Sequence, residues 1–165
     1  MNGSDQKYFG KYRGVVSDNR DPQMLGRIKA NVPDVLGDQE TGWAMPCVPY
    51  AGNGVGFFFI PPTDASVWIE FERGDPRFPI WAGCFWGTGE VPASPAVAEM
   101  KVLKTDIATI TINDQQGAAG VTIETVNSQK IKLTATGIEI DNGQGATVKL
   151  SGPSVKINDQ ALEVT

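Results

Sequence analysis

The hydrophobic pattern of residues 105–165 repeats. Two aliphatic residues separated by one position recur seven times, and turn-forming Gly, Asn or Asp residues lie between most of these pairs. Apolar residues with a period of two are typical of strands, and a recurring strand–turn unit is typical of a solenoid or fibre. The pattern therefore predicts seven short strands, centred on Ile110/Ile112, Val121/Ile123, Ile131/Leu133, Ile138/Ile140, Val148/Leu150, Val155/Ile157 and Leu162/Val164.

One such unit is too small to fold alone. Burying two aliphatic side chains contributes about 4–5 kcal/mol at best, whereas ordering a residue costs about 1–2 kcal/mol in backbone entropy. We therefore expect three intertwined copies to form a β-helical needle, with an ordinary β-sandwich as the alternative. The residues expected on the trimer axis are Ile110, Ile112, Val121, Ile123, Ile131, Leu133, Ile138, Ile140, Val148, Leu150, Val155 and Ile157.

The first half of the chain has a different pattern. Short strands are predicted over residues 11–17, 26–32, 43–48, 55–60, 66–72 and 79–85, and no window of ten residues has helical periodicity. Five or six short strands with turns between them favour a small, closed or partly closed barrel. The predicted organisation is all-β: a flexible arm over residues 1–7, a barrel over 8–87, a linker over 88–104 with a possible helical turn at 96–103, and the trimeric β-helix over 105–165.

Aromatic residues support this division. All 14 of them lie between Tyr8 and Trp86. A narrow threefold axis has no room for large rings, whereas a β-sandwich normally uses some of them to fill the gap of about 10 Å between its sheets. The aromatic distribution therefore favours the needle over the sandwich.

Charge and residue types exclude several function classes. The net charge of −5 makes nucleic-acid binding less probable, and the absence of histidine excludes His-dependent triads and His-ligated metals. We assign no catalytic, cofactor-binding or metal-binding residue. Cys47 and Cys84 are expected to be buried thiols, with a disulfide between them as the alternative. The polar N-terminus lacks a signal core, so synthesis in the cytoplasm is expected.

Three local motifs have a functional and a structural interpretation. The segment Gly52–Gly56 is faintly similar to a phosphate loop, but a barrel turn is favoured because a strand follows it. Glu70 and Glu72 fit a solvated or interface surface better than acid–base catalysis. The barrel has six basic residues near its start, which are Lys7, Lys11, Arg13, Arg20, Arg27 and Lys29. They could bind single-stranded nucleic acid or an acidic protein surface, and the protein surface is favoured.

An ordered series of motifs resembles a known family. These are residues 12–16, 21–22, 25–29, 32–33, 43–46, 49–52, 56–61, 67–71, 74–76 and 79–83. The chain resembles the baseplate assembly protein V and tail-spike family of contractile phages, and the C-terminal half of the VgrG spikes of type VI secretion. The resemblance implies an OB-fold over residues 8–86 and a triple-stranded β-helix over 105–165.

The resemblance also implies a function and partners. The chain would be a homotrimeric, non-enzymatic central spike in a phage tail, tailocin or injection-system particle, joining a separate trimeric hub to a tip that touches the target membrane transiently. Without histidine the family's iron-binding tip is excluded, so a PAAR-type tip protein is expected on Leu162 and Val164. No nucleic acid is expected as a partner; the alternative is an OB-fold single-stranded nucleic-acid-binding protein with a fibrous oligomerisation tail.

Overall fold

The protein is an all-β chain of two compact units, Met1–Gly89 and Glu90–Thr165. A computed structural model describes residues 6–159 and 161–164, so most of the expected arm and the last residue lie outside the described part. The all-β prediction is confirmed, and the described helices are one turn of α-helix, α1 (Pro33–Leu36), and a 3-10 turn over Glu72–Gly74. None of the described helices has the length and apolar character required to cross a membrane.

The first unit contains seven short strands. They are β1 (Tyr12–Asp18), β2 (Lys29–Asn31), β3 (Met45–Pro46), β4 (Ala51–Gly52), β5 (Val55–Gly56), β6 (Ser66–Phe71) and β7 (Pro79–Cys84). Five of them form one sheet in the order β2-β1-β6-β7-β3, and β4 and β5 form a hairpin. A bridge between Ile28 and Ala44 links the two ends of this order, which gives the partly closed barrel that the strand pattern predicts.

The core of this unit comes from the inward positions of β6 and its neighbours. Val67, Ile69 and Phe71 alternate with half-exposed residues along β6, as the period of two predicts. The other buried apolar residues are Val16, Ile28, Ala30, Val32, Ala44 and Trp81. The indole N–H of Trp81 donates to the backbone oxygen of Gly26 at 3.1 Å, which fixes the loop before β2 against the barrel.

The second unit is a single eight-stranded antiparallel sheet. Its strands are β8 (Met100–Lys104), β9 (Ala108–Asn113), β10 (Gly120–Thr125), β11 (Lys130–Thr134), β12 (Gly137–Asp141), β13 (Thr147–Ser151), β14 (Ser154–Ile157) and β15 (Leu162–Val164). Each strand pairs with the next one along the chain, from β8 to β15. All seven predicted strands are present. Their backbone ladders form within one chain, whereas the expected interleaving had placed neighbouring strands on different chains.

Three local expectations are wrong. Residues 100–104 form β8 instead of the possible helical turn, because they pair over their whole length with β9. Residues 57–60 form no strand. Cys47 and Cys84 are free and exposed rather than buried, although partial burial of the side chain raises the pKa of the Cys84 thiol.

Candidate functional site

The paired aliphatic residues of the C-terminal sheet form two straight columns on one face. In an antiparallel sheet, directly opposed residues point to the same side, so the register decides which side chains are neighbours. The first column is Ile112, Val121, Leu133, Ile138, Leu150, Val155 and Val164. The second is Ile110, Ile123, Ile131, Ile140, Val148, Ile157 and Leu162. We call the two columns together the apolar stripe.

Every residue assigned from the sequence to the trimer axis belongs to the apolar stripe. Ten of those twelve are among the exposed large hydrophobic residues, for example Ile112 at 44% and Ile140 at 46%. Val121 and Val148 are half-buried. Among the described residues of this unit none is fully buried. A continuous exposed apolar face is typical of surfaces that bind another protein or a membrane.

The tip residues assigned from the sequence extend the same face. Leu162 pairs with Ile157 and is 54% exposed, which places it at the last layer of the second column. The backbone of Val164 pairs with Val155, but the side chain of Val164 lies outside the described part of the structure. The sheet therefore ends on β15, whose outer edge has no neighbouring strand among the described residues.

Strand β8 adds a layer that the sequence pattern did not identify. Leu103 lies opposite Ile110 and lengthens the second column, and its side chain is 44% exposed. Lys101 lies opposite Ile112 at the end of the first column and forms an ion pair with Asp114. Met100 and Val102, the two apolar residues of β8 that are separated by one position, lie opposite Asn113 and Thr111 and therefore on the other face of the sheet. Their spacing alone did not reveal which face of β8 joins the stripe.

The opposite face of the sheet is polar and charged. Glu139 lies between Lys132 and Lys149 in the ladder, and its Oε1 is 3.8 Å from the Lys149 Nζ. Lys149 also donates to Asp159 at 2.7 Å, and this hydrogen bond raises the pKa of Lys149 and lowers that of Asp159. The sheet therefore has one apolar face, formed by the stripe, and one charged face.

A second apolar surface lies on the barrel unit. We call Tyr50, Val55, Phe57, Phe58 and Phe59 the aromatic patch; their exposed fractions lie between 54% and 73%. The rings of Phe57 and Phe59 are 6.3 Å apart, and Tyr50 meets Phe57 edge-on at 6.3 Å. A cavity of about 350 Å³ beside the patch is lined entirely by uncharged residues. The sequence interpretation missed this surface because it assigned the phenylalanines to a strand.

The glycine-rich segment at the patch is a hairpin. Gly52 pairs with Val55 in the β4–β5 ladder, and Asn53 and Gly54 form its turn. No helix follows it, so the structure agrees with the turn interpretation rather than a phosphate loop. Within the described residues, no group of three potential metal-ligating side chains comes together.

The basic residues of the barrel are largely engaged within the unit. Arg13 stacks its guanidinium over the rings of Trp68 and Phe85 at 5.1 and 4.8 Å. Four more residues of this set form ion pairs, which are Lys7–Asp75, Lys11–Glu70, Arg27–Asp21 and Lys29–Glu40. Glu70, one of the two carboxylates considered for catalysis, is thus the partner of a lysine. These pairs reduce the positive charge that a nucleic-acid surface needs.

Comparison with known families gives one match in each of the two units. Residues 12–86 match the type VI secretion system/phage-baseplate injector OB domain. Residues 100–163, which carry the apolar stripe, match the phage baseplate V C-terminal trimerisation domain. The chain belongs to the phage baseplate V family. A search of curated proteins found no match.

Membership of the phage baseplate V family confirms several predictions. The OB-fold and the β-rich C-terminal domain occur in the predicted order. A trimerisation domain supports the homotrimer, and the two domains give the chain a structural role in a baseplate spike of a phage or injection particle.

Proposed function

We propose that this protein is the homotrimeric central spike of a contractile tail, joining a separate trimeric baseplate hub to a membrane-piercing tip. The observation that supports this most directly is the apolar stripe, which runs in unbroken register from β9 to β15. Three sheets with their stripes turned inward form a three-sided prism with a dry axis. Each chain supplies one face of this prism.

The prism suits a mechanical role. Eight strands at a spacing of about 4.8 Å give each face a length of about 34 Å along the axis. The backbone ladders run along this axis, and the axial side chains are aliphatic with no aromatic ring among them, so the needle is narrow and stiff. Such a needle transmits the force of sheath contraction to the target membrane.

The assembly is tested by static light scattering of the purified protein at micromolar concentration. The expected mass is about 53 kDa, three times the 17.7 kDa of one chain. A closed threefold ring has no free stripe left, so the mass should not rise with concentration. A mass of 17.7 kDa would contradict the spike.

The hub is proposed to bind the OB unit through the aromatic patch. Its five side chains are exposed, its adjacent cavity has no charged lining residue, and aromatic side chains are enriched in the cores of interfaces. Phe58 is the most exposed member at 73%.

A charge substitution in the patch tests the hub contact. Phe58→Lys should abolish pull-down of the hub protein encoded beside this one, because a lysine would be desolvated in an apolar interface. Phe9→Lys is the matched control, since Phe9 is equally exposed but lies in the segment before β1. If both variants bind the hub like the unchanged protein, the hub docks elsewhere.

The tip is proposed to be a separate PAAR-type protein seated on the C-terminal end of the needle, at Leu162 and Val164. Support comes from the open edge of β15 and from the exposed Leu162, because natural proteins usually cover such edges. Deletion of residues 158–165 should abolish pull-down of a tip protein encoded nearby and leave hub binding intact. Undiminished tip binding by the truncated spike would contradict the proposal.

A further inference from the structure

Consecutive pairing places the turns of the C-terminal sheet alternately at two lateral edges. The first edge carries the turns at 105–107, 126–129 and 142–146, and the one that begins at residue 158. The second edge carries the turns at 114–119, 135–136 and 152–153. Since each strand reverses direction, every turn of one edge is level with a gap between two turns of the other. The turn at 126–129 is level with the gap between 114–119 and 135–136.

On the first edge, the successive turns around Val126 contact one another and present apolar side chains. The Val126 backbone N–H donates to the Ile107 oxygen at 3.1 Å, which joins two successive turns. At Gly143, a Cβ atom would lie 2.6 Å from the Asn127 oxygen, so the next turn also packs directly on this one. The side chains of Val126 and Ile107 remain 68% and 69% exposed. This edge therefore presents an apolar ridge to the outside.

The second edge is open at the matching level. A cavity of about 660 Å³ begins there, between the loop 114–119 and the turn 135–136, and continues over β12 to Leu150 and Ser151 of β13. Lys132, Glu139 and Lys149 contribute charged side chains to its lining. The part between the loop and the turn is lined by small residues, Gly117, Ala118, Ala119 and Ala135. We call this part, which is level with the Val126 turn, the socket.

We infer that the Val126 turn of one copy inserts into the socket of the next copy and so forms each corner of the prism. This contact rests on the proposed trimeric spike. It joins two different surfaces of the same chain, so it is a head-to-tail contact, and it closes into a ring after three copies. The match of residues 100–163 to a trimerisation domain supports a second copy as the occupant. The apolar stripe and the corners then form one continuous interface.

Disulfide cross-linking tests the corner. In a background of Cys47→Ser and Cys84→Ser, which removes the two exposed native thiols, Val126→Cys is combined with Ala135→Cys. Within one chain these positions lie at opposite ends of β11, five residues long and about 16 Å in extent, beyond the reach of a disulfide. Oxidation should therefore give a covalent trimer of about 53 kDa, three times 17.7 kDa, on denaturing gels without reductant.

The matched control replaces Ala135→Cys by Ser154→Cys. Ser154 lies on the second edge at the start of β14, outside the lining of the cavity and more than three strand spacings from the Val126 turn, or about 17 Å. This pair should remain uncross-linked, as should each single-cysteine variant.

Light scattering before oxidation separates the two proposals. A trimeric mass with a cross-link only in the Val126/Ala135 variant supports the corner. A trimeric mass with no cross-link, or with a cross-link in the Ser154 variant instead, overturns the corner and leaves the trimeric spike standing. A monomeric mass overturns the spike, and the corner with it.

Discussion

The carboxylate of Asp21 is held by the guanidinium of Arg27, whose Nη2 donates to Oδ1 at 2.6 Å and whose Nε lies 3.1 Å from both oxygens. The backbone N–H groups of Gln23, Leu25 and Arg27 also donate to Asp21. The Asp21 carboxylate therefore holds the loop between β1 and β2 in place by hydrogen bonds to three of its residues. The side chains of both residues are nearly covered, at 4% for Asp21 and 14% for Arg27.

Asp21→Asn should lower the thermal midpoint of the OB unit at neutral pH, because the amide keeps the shape but loses the charge that pairs with Arg27. Asp38→Asn, in an exposed position of the loop after α1, is the control and should leave the midpoint unchanged. Differential scanning calorimetry of the two variants measures both midpoints. Equal midpoints for both variants would show that the Asp21 carboxylate does not stabilise the loop.

The same carboxylate predicts a dependence on pH. The Arg27 hydrogen bonds hold the pKa of Asp21 well below its usual range in the folded protein. A lowered pKa stabilises the fold fully above the unfolded pKa of about 3.9, and this stabilisation is lost as the pH falls towards the folded pKa. The difference in midpoint between the unchanged protein and Asp21→Asn should therefore shrink between pH 7 and pH 3. If the difference in midpoint stays constant with pH, the charge of the Asp21 carboxylate contributes little to stability compared with its neutral hydrogen bonds.

Ile140→Asp should destroy the trimeric needle. In the prism, three carboxylates would meet on the axis, and burying unpaired charge costs several kcal/mol per ion even after relaxation. Glu139→Ala is the neighbouring control, because Glu139 is on the solvated face and opposes Lys132 and Lys149. Analytical ultracentrifugation should give a monomer for the first variant and a trimer for the second. If the two variants have the same oligomeric state, Ile140 does not lie on the trimer axis.

Trp81→Phe should destabilise the OB unit by about 1–3 kcal/mol, because it leaves the buried Gly26 oxygen without its indole donor. Trp86→Phe is the control: Trp86 is 64% exposed, and exposed substitutions usually change stability by less than about 0.5 kcal/mol. Chemical denaturation followed by circular dichroism compares the two. The prediction fails if both variants unfold at the same denaturant concentration.

Gly143→Ala should weaken the C-terminal unit more than Gly145→Ala. Both glycines have a positive φ, 71° and 97°, so both alanines are strained. Only at Gly143 would the new Cβ also meet backbone atoms, the Asn127 oxygen at 2.6 Å, whereas nothing lies within 4 Å at Gly145. The difference between the thermal midpoints of the two variants measures the effect of the backbone contact at Gly143, because the φ strain is common to both. If they coincide, the turn at 142–146 does not pack on the turn at 126–129 in solution.

The sequence predicted the C-terminal strands well, because a period of two is fixed by the pleat and each strand has turn residues on both sides. It did not predict β8, where Leu103 and Lys101 share one face. Only the pairing of β8 with β9 decides that Leu103 joins the stripe.

Phe57, Phe58 and Phe59 were assigned to a strand, and this was wrong because the tertiary structure offers them no neighbouring strand. Phe57, Phe58 and Phe59 have high strand propensity, but propensity is overridden where no neighbouring strand offers a ladder. Gly56 ends the hairpin at a φ of 148°, and Pro61 and Pro62 provide no backbone donors beyond it. The exposure of Cys47 and Cys84 likewise depends on what packs beside β3 and β7, which sequence spacing does not encode.

The neighbour-to-neighbour pairing of β8 to β15 also governs how the needle is made. Each ladder joins strands that are close in sequence, so this unit has a low contact order, and its hairpins form on a timescale of about 1–10 μs. In the proposed trimer, the apolar faces lose their water only when three chains meet. Refolding of the C-terminal unit is therefore expected to be limited by encounter between chains and to accelerate with protein concentration, while the OB unit refolds at a rate independent of concentration.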